Sequence, residues 1–98
     1  MNIVHKYGLN AKEETQKILL PKKSKILSVV VHHESIYFYV EQDANALRSS
    51  YQNSEDFKTV EFAIFRDSRS FTVDGYQFLG TVFLNFGNSI YHIFYRDI

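Results

Sequence analysis

The chain has 98 residues, of which 45% are hydrophobic and 16% aromatic, with nine Phe and seven Tyr; this is enough apolar material for one packed domain spanning 1–98 and excludes an intrinsically disordered chain. Eleven basic residues balance eleven acidic ones, so no global field points to nucleic acid or to an anionic membrane surface. With no cysteine there is no disulfide, zinc-thiolate site, iron–sulfur cluster or thiol nucleophile, and neither a ~20-residue apolar run nor the apolar stretch of a signal peptide is seen, which leads us to expect a soluble protein.

Period-two hydrophobicity dominates from the first residues onward. Asn2 to Leu9 reads as a short strand with Ile3, His5 and Tyr7 on one side and Val4 and Lys6 on the other. Ala11 to Leu20 is ambiguous by pattern: Asn10 could cap a helix and Ala-Lys-Glu-Glu has helical propensity, with Pro21 stopping the segment in either case. Ile26 to His32 places Leu27, Val29 and Val31 on one face. After His33-Glu34-Ser35 the run Ile36 to Val40 alternates again, with Ile36, Phe38 and Val40 facing one way and Tyr37 and Tyr39 the other. The two runs read as a hairpin whose turn lacks glycine, which leaves the turn type open.

Gln42 to Asp56 is polar, holding only Leu47 and Tyr51 as sizeable apolar groups, with room for one helical turn. Lys58 to Phe65 gives a further strand, with Val60, Phe62 and Ile64 opposite Glu61, Ala63 and Phe65. A second polar stretch, Arg66 to Gly75, follows it. Gln77 to Leu84 carries Phe78, Val82 and Leu84 on one face; Asn85-Phe86-Gly87-Asn88 supplies turn chemistry; and Ile90 to Tyr95 sets Ile90, His92 and Phe94 against Tyr91, Ile93 and Tyr95. Six to seven short strands with at most one short helix predict an all-β fold, a small antiparallel sandwich or barrel.

No catalytic frame accompanies these strands. The four histidines lack metal-ligand spacing, His32 and His33 reading as exposed turn residues and His92 as a half-buried structural one. There is no nucleophile elbow, phosphate loop or dinucleotide fingerprint. A non-enzymatic protein without a cofactor is therefore expected. Charge is unevenly placed: residues 1–25 hold six Lys against two Glu, a balance of +4, and the remainder five basic against nine acidic, a balance of −4. Such an asymmetry suits a solvated lysine-rich edge that resists sheet aggregation, head-to-tail association, or a small anionic ligand.

Aromatics are in excess. If Phe38, Phe62, Phe78 and Phe94 fill the core, then Tyr37, Tyr39, Phe65, Phe83, Tyr91 and Tyr95 fall on the alternate faces. Three arrangements accommodate them: an interface in a homo-oligomer, a stacking platform for bases or nucleotides with Arg66, Arg69 or Lys residues taking phosphate, or a two-sided monomer core covered by the N-terminal segment and the loops. A nucleic-acid-binding barrel is disfavoured by the zero net charge.

The stretches Ile3-Val4-His5-Lys6-Tyr7, Leu20-Pro21-Lys22-Lys23-Ser24-Lys25-Ile26-Leu27-Ser28-Val29, Phe62-Ala63-Ile64-Phe65, Tyr76-Gln77-Phe78-Leu79-Gly80-Thr81-Val82 and Tyr91-His92-Ile93-Phe94, in this order over about two-thirds of the chain, resemble a family of short tailed-bacteriophage proteins of unknown function. The resemblance implies a strand-rich small fold, a strand from Glu14 onward, phage origin and a location in the host bacterial cytoplasm. It brings no activity, and Arg66-Asp67-Ser68-Arg69-Ser70 departs from the Gly-Thr-Gly-His-like turn such members carry there. By analogy of context, it suggests a binding protein that counters host defence. In the sharper form an oligomeric sponge sequesters a nucleotide-derived immune signal, with Tyr37 and Tyr39 stacking on the base and Arg66 and Arg69 meeting phosphate. A protein–protein inhibitor of a host defence protein and a minor virion accessory protein are the alternatives.

Overall fold

Alternation along the central strand sets the frame: Ile36, Phe38 and Val40 are fully buried, whereas Tyr37 and Tyr39 between them are only half-buried. In the computed structural model, which describes residues 1–47, 56–72 and 74–98, this strand is β4 (Ser35–Asp43) of seven. The others are β1 (Asn2–Leu9), β2 (Thr15–Pro21), β3 (Lys25–His32), β5 (Phe57–Arg66), β6 (Gln77–Leu84) and β7 (Ser89–Asp97). All pairings are antiparallel and form a three-stranded sheet, β1-β4-β3, and a four-stranded sheet, β2-β5-β7-β6. The expected all-β fold is thus a two-sheet sandwich. It contains a 3-10 turn at Ala44–Leu47. Tyr51, singled out in the polar stretch after β4, lies outside the described residues. That stretch also begins later than its composition suggested, because Gln42 is a buried strand residue.

The core lies between the inner faces. Phe38 of one sheet meets Phe62 of the other at 4.3 Å between ring centroids, surrounded by Leu20, Ile36, Val40, Val60 and Ile93. Removing either ring would cost on the order of 3–5 kcal/mol. Tyr7 stacks on Phe38 and donates to Gln42 Oε1 at 2.6 Å, and burial raises its pKa.

The ambiguous segment before Pro21 resolves as a turn at Ala11 and Lys12 and a bend at Glu14, followed by strand from Thr15. Asn10 caps no helix: its Oδ1 accepts from Lys12 N, and the Gln16 amide bonds to Asn10 N and O. These bonds close a local turn that competes with helix. Pro21 ends β2 at a sheet edge, where its missing N–H breaks no ladder. The β3–β4 turn is a two-residue one with His33 and Glu34 at φ 50 and 61, the primed geometry that hairpins favour, here built without glycine.

Three expectations about facing are overturned. In β3 the register shifts between Ile26 and Ser28, so Ile26 packs on the core with Val29 and Val31 while Leu27 is exposed. In β6 a second shift between Phe78 and Gly80 turns Leu79 inward and leaves Phe78 on the outer face, 58% exposed. A bulge inserts one residue and so reverses facing on one side of it. In β7 the inner residues are Tyr91, Ile93 and Tyr95, not Ile90, His92 and Phe94.

The inversion in β7 has a packing cause. The described residues between β5 and β6, Asp67–Thr72 and Asp74–Tyr76, fold back over the outer face of the four-stranded sheet. There Phe71 stacks on Phe65 at 4.3 Å and 10°, and Phe94 lies 5.9 Å from Phe65 and 5.3 Å from Phe78. Ala63, which faces outward by alternation, is fully buried beneath this layer. Of the surplus aromatics, Phe65 is covered in this way, while Phe78 on the same face stays exposed.

A carboxylate holds the far end of the covering segment. Glu61 Oε1 accepts from Tyr76 Oη at 2.7 Å and from Arg96 Nε at 2.8 Å and Nη2 at 2.7 Å, and the guanidinium lies 4.4 Å over the Tyr76 ring. The Tyr76 hydrogen bond, followed by the contacts with Arg96, outweighs desolvation and lowers the Glu61 pKa; burial, then the same carboxylate, raises that of Tyr76. A lowered carboxylate pKa contributes stability that is present above the ordinary value of 4.5 and lost as pH falls through the folded value. The raised phenol contributes below pH 10.0 and its share is lost as pH rises through its folded value. Glu61→Gln should lower stability at neutral pH by about 1–2 kcal/mol, for the charge-assisted bonds lost, and flatten the acid limb of a stability–pH curve measured by urea unfolding.

The two sheets close along β3 and β6, where a Cβ added to Gly80 would meet Val29 Cγ1 at 2.7 Å. Val29 is β-branched and packed against the core, so it yields poorly. Gly80→Ala should therefore cost about 1–3 kcal/mol, and adding Val29→Ala should recover part of it; additive losses in denaturant melts would contradict this contact.

Candidate functional site

β5 ends in a turn that carries two arginines. Arg66 is its last residue, Ser68 adopts φ 68, and Arg69 N donates to Arg66 O at 3.3 Å, so both side chains leave the same tight turn. Asp67 N donates to Ile90 O, which fastens the turn to β7. On the other side Ile64 N donates to Glu14 O and brings in the β1–β2 connection with Lys12.

Between these pieces, at one end of the sandwich, lies an open cleft of about 320 Å³ lined by Ala11, Lys12, Glu14, Ile64, Arg66, Arg69 and Tyr91. Tyr91 is opposite Arg66 in the β5–β7 register, and the Arg66 guanidinium sits 5.9 Å from its ring centroid. Three cations face one carboxylate, an excess of two positive charges. Glu14 meets Arg69 at 3.8 Å with both side chains mostly exposed, a pairing worth little in water and easily displaced by an incoming anion.

A second polar line steadies the turn. Asp67 Oδ1 lies 2.9 Å from His92 Nε2, and His92 Nδ1 lies 2.9 Å from Thr81 Oγ1. With Asp67 ionised, the ring proton belongs on Nε2 and Thr81 donates to Nδ1. Hydroxyl, imidazole and carboxylate stand in the order familiar from nucleophilic catalysis, but Thr81 and His92 do not line the arginine cleft. Through these contacts Asp67, and with it the backbone between the two arginines, is tied to β6 and β7.

The four residues singled out in the sequence fall into two pairs. Arg66 and Arg69 share the cleft. Tyr37 and Tyr39 lie on the outer face of the three-stranded sheet, where Lys6 Nζ sits 4.4 Å over the Tyr37 ring and Lys6 is the register partner of Tyr39. Within one chain the pairs do not meet. By sequence Tyr91 counts among the aromatics of a stacking surface and Lys12 among the N-terminal lysines, but neither is joined to Arg66 and Arg69; for Tyr91 the signal is the Arg66–Tyr91 register, which requires knowing that β5 pairs with β7.

The whole chain, residues 1–98, matches the model of a family described as a domain of unknown function (DUF7352), and the chain belongs to that family. No curated protein and no solved structure matches it.

Proposed function

We propose that this is a non-enzymatic binding protein whose arginine cleft holds a small anionic, nucleotide-like ligand. The observation that carries the reading is the convergence of Arg66, Arg69 and Lys12 in one open cleft, with the Tyr91 ring beside Arg66. Guanidinium groups meet phosphate oxygens through paired, charge-assisted hydrogen bonds, and an aromatic ring beside them gives a base a surface to stack on. In the sharper form the protein is a homo-oligomer, and Tyr37 and Tyr39 of a second copy complete the site from outside. In the phage setting that the sequence resemblance implies, such a protein would act in the host cytoplasm as a sponge for a nucleotide-derived immune signal.

A protein–protein inhibitor is the second reading, and one observation favours it. Phe86, at the tip of the β6–β7 turn, is 92% exposed and held at φ 56, an unusual conformation for a bulky side chain. An aromatic ring presented in this way suits insertion into a partner's pocket.

The double substitution Arg66→Ala with Arg69→Ala tests the first reading. Both side chains are exposed at a chain turn, so the melting temperature should stay within a few degrees of the parent. Titration calorimetry against a panel of linear and cyclic nucleotides should show binding to the parent weakened at least about 100-fold in the double variant, as expected for two lost charge-assisted contacts. Binding that survives the change removes the cleft from consideration. A sedimentation experiment showing a monomer in the liganded state removes the role of Tyr37 and Tyr39 from a second copy.

A further inference from the structure

About 26 Å along β5 from Arg66, eight residues at ~3.3 Å each, the opposite end of the sandwich opens into a second and larger cleft of about 400 Å³. Here the starts of β3, β5 and β6 meet the end of β7. We propose that this cleft is a separate site for a small organic anion bearing one phosphate or carboxylate group. It is independent of the arginine-cleft reading and shares no residue with it.

Three cations line it, each with capacity to spare. Lys25 makes no ion pair among the described residues. Lys58 Nζ reaches Ser24 O and Asp97 Oδ2, both at a long 3.3 Å, which leaves a third N–H to donate. Arg96 is oriented by Glu61 through Nε and Nη2, while its Nη1 has only the 3.5 Å contact with Asp74 O. In the lining these three cations face one carboxylate, Asp97, while Glu61 stands behind Arg96 and Glu41 opposite Lys25 in the β3–β4 register.

Beside these cations the cleft wall holds Ser24, 9% exposed, whose Oγ has no hydrogen-bond partner among the described residues; an unsatisfied hydroxyl at such depth is disfavoured. Tyr95 and Ile26, both packed against the core, give the ligand's body an apolar wall. Since Arg96 is already held in place by Glu61 and Tyr76, the ligand meets a guanidinium that need not be ordered on binding.

The test is a ¹H–¹⁵N NMR titration of the full chain with inorganic phosphate and, separately, with acetate, at constant ionic strength. Saturable shifts are expected at the amides of Ser24, Lys25, Gly75 and Gln77 and at the Arg96 Nε–H. Saturation by phosphate alone identifies a phosphoryl ligand, and by acetate alone a carboxylate; either supports the site. Lys25→Gln should weaken the response about tenfold, one charge-assisted bond. Shifts that stay linear with both anions, or that saturate only at Lys12, Arg66 and Arg69, overturn the proposal; the latter pattern would leave the arginine-cleft reading standing.

Discussion

Val29 of β3 occupies the space that any side chain at position 80 of β6 would need, and the rest of the sandwich is arranged around that approach. It lets the edge of the three-stranded sheet come down on the edge of the four-stranded one and seals the flank of the core beside Ile93 and Val82. Both register shifts lie on these two strands, between Ile26 and Ser28 and between Phe78 and Gly80. Bulges increase local twist and bend a strand, which suits two edges that must meet without pairing. At one end of the seam the hairpin turns are tied by Glu34 Oε2 accepting from Asn85 N at 2.6 Å. At the other the strands splay, and the larger cleft opens between Lys25 and Gln77.

The second organising element is the segment that doubles back over the four-stranded sheet. It is fixed at its start by Asp67 through His92 and Thr81, in its middle by Phe71 on Phe65, and at its end by Tyr76 on Glu61 and Arg96. The first and last of these clamps each adjoin a cation-bearing cleft: the first lies between Arg66 and Arg69, the last directs Arg96. The two clefts are thus linked through the packing of the outer face, although they share no residue.

Strand existence was legible wherever polar and apolar residues alternate, because alternation reports one wet and one dry face. Ile36, Phe38 and Val40 in β4 and Val60, Phe62 and Ile64 in β5 are buried as their pattern predicts. Facing was not legible where both sides are dry. Tyr91, His92, Ile93, Phe94 and Tyr95 present an aromatic to either face, and only the covering segment, whose position is a tertiary fact, decides that Tyr91 and Tyr95 go inward. Leu27 and Phe78 were misplaced for another reason: a bulge leaves no mark in composition. Of the sites, the Arg66–Arg69 pair was visible because both residues fall in one turn. The Glu61–Tyr76–Arg96 cluster was not, since its members are 15 and 35 residues apart and come together only through strand pairing.

The order in which strands are used bears on how the chain reaches this structure. β1 must wait for β4, its register partner from Asn2↔Asp43 to Leu9↔Ile36, and β2 must wait for β5, from Thr15↔Ala63 to Pro21↔Phe57. Only the β3–β4 and β6–β7 hairpins join neighbours in the chain. The three-stranded sheet can close early, but its inner surface of Ile36, Phe38 and Val40 then has no cover until Phe62 and Ile93 have been made. Distant pairings carry a loop-closure cost that is met before any packing compensates for it. The polypeptide should therefore fold slowly for its size and as one cooperative unit, with its last strand among the pieces that commit the first.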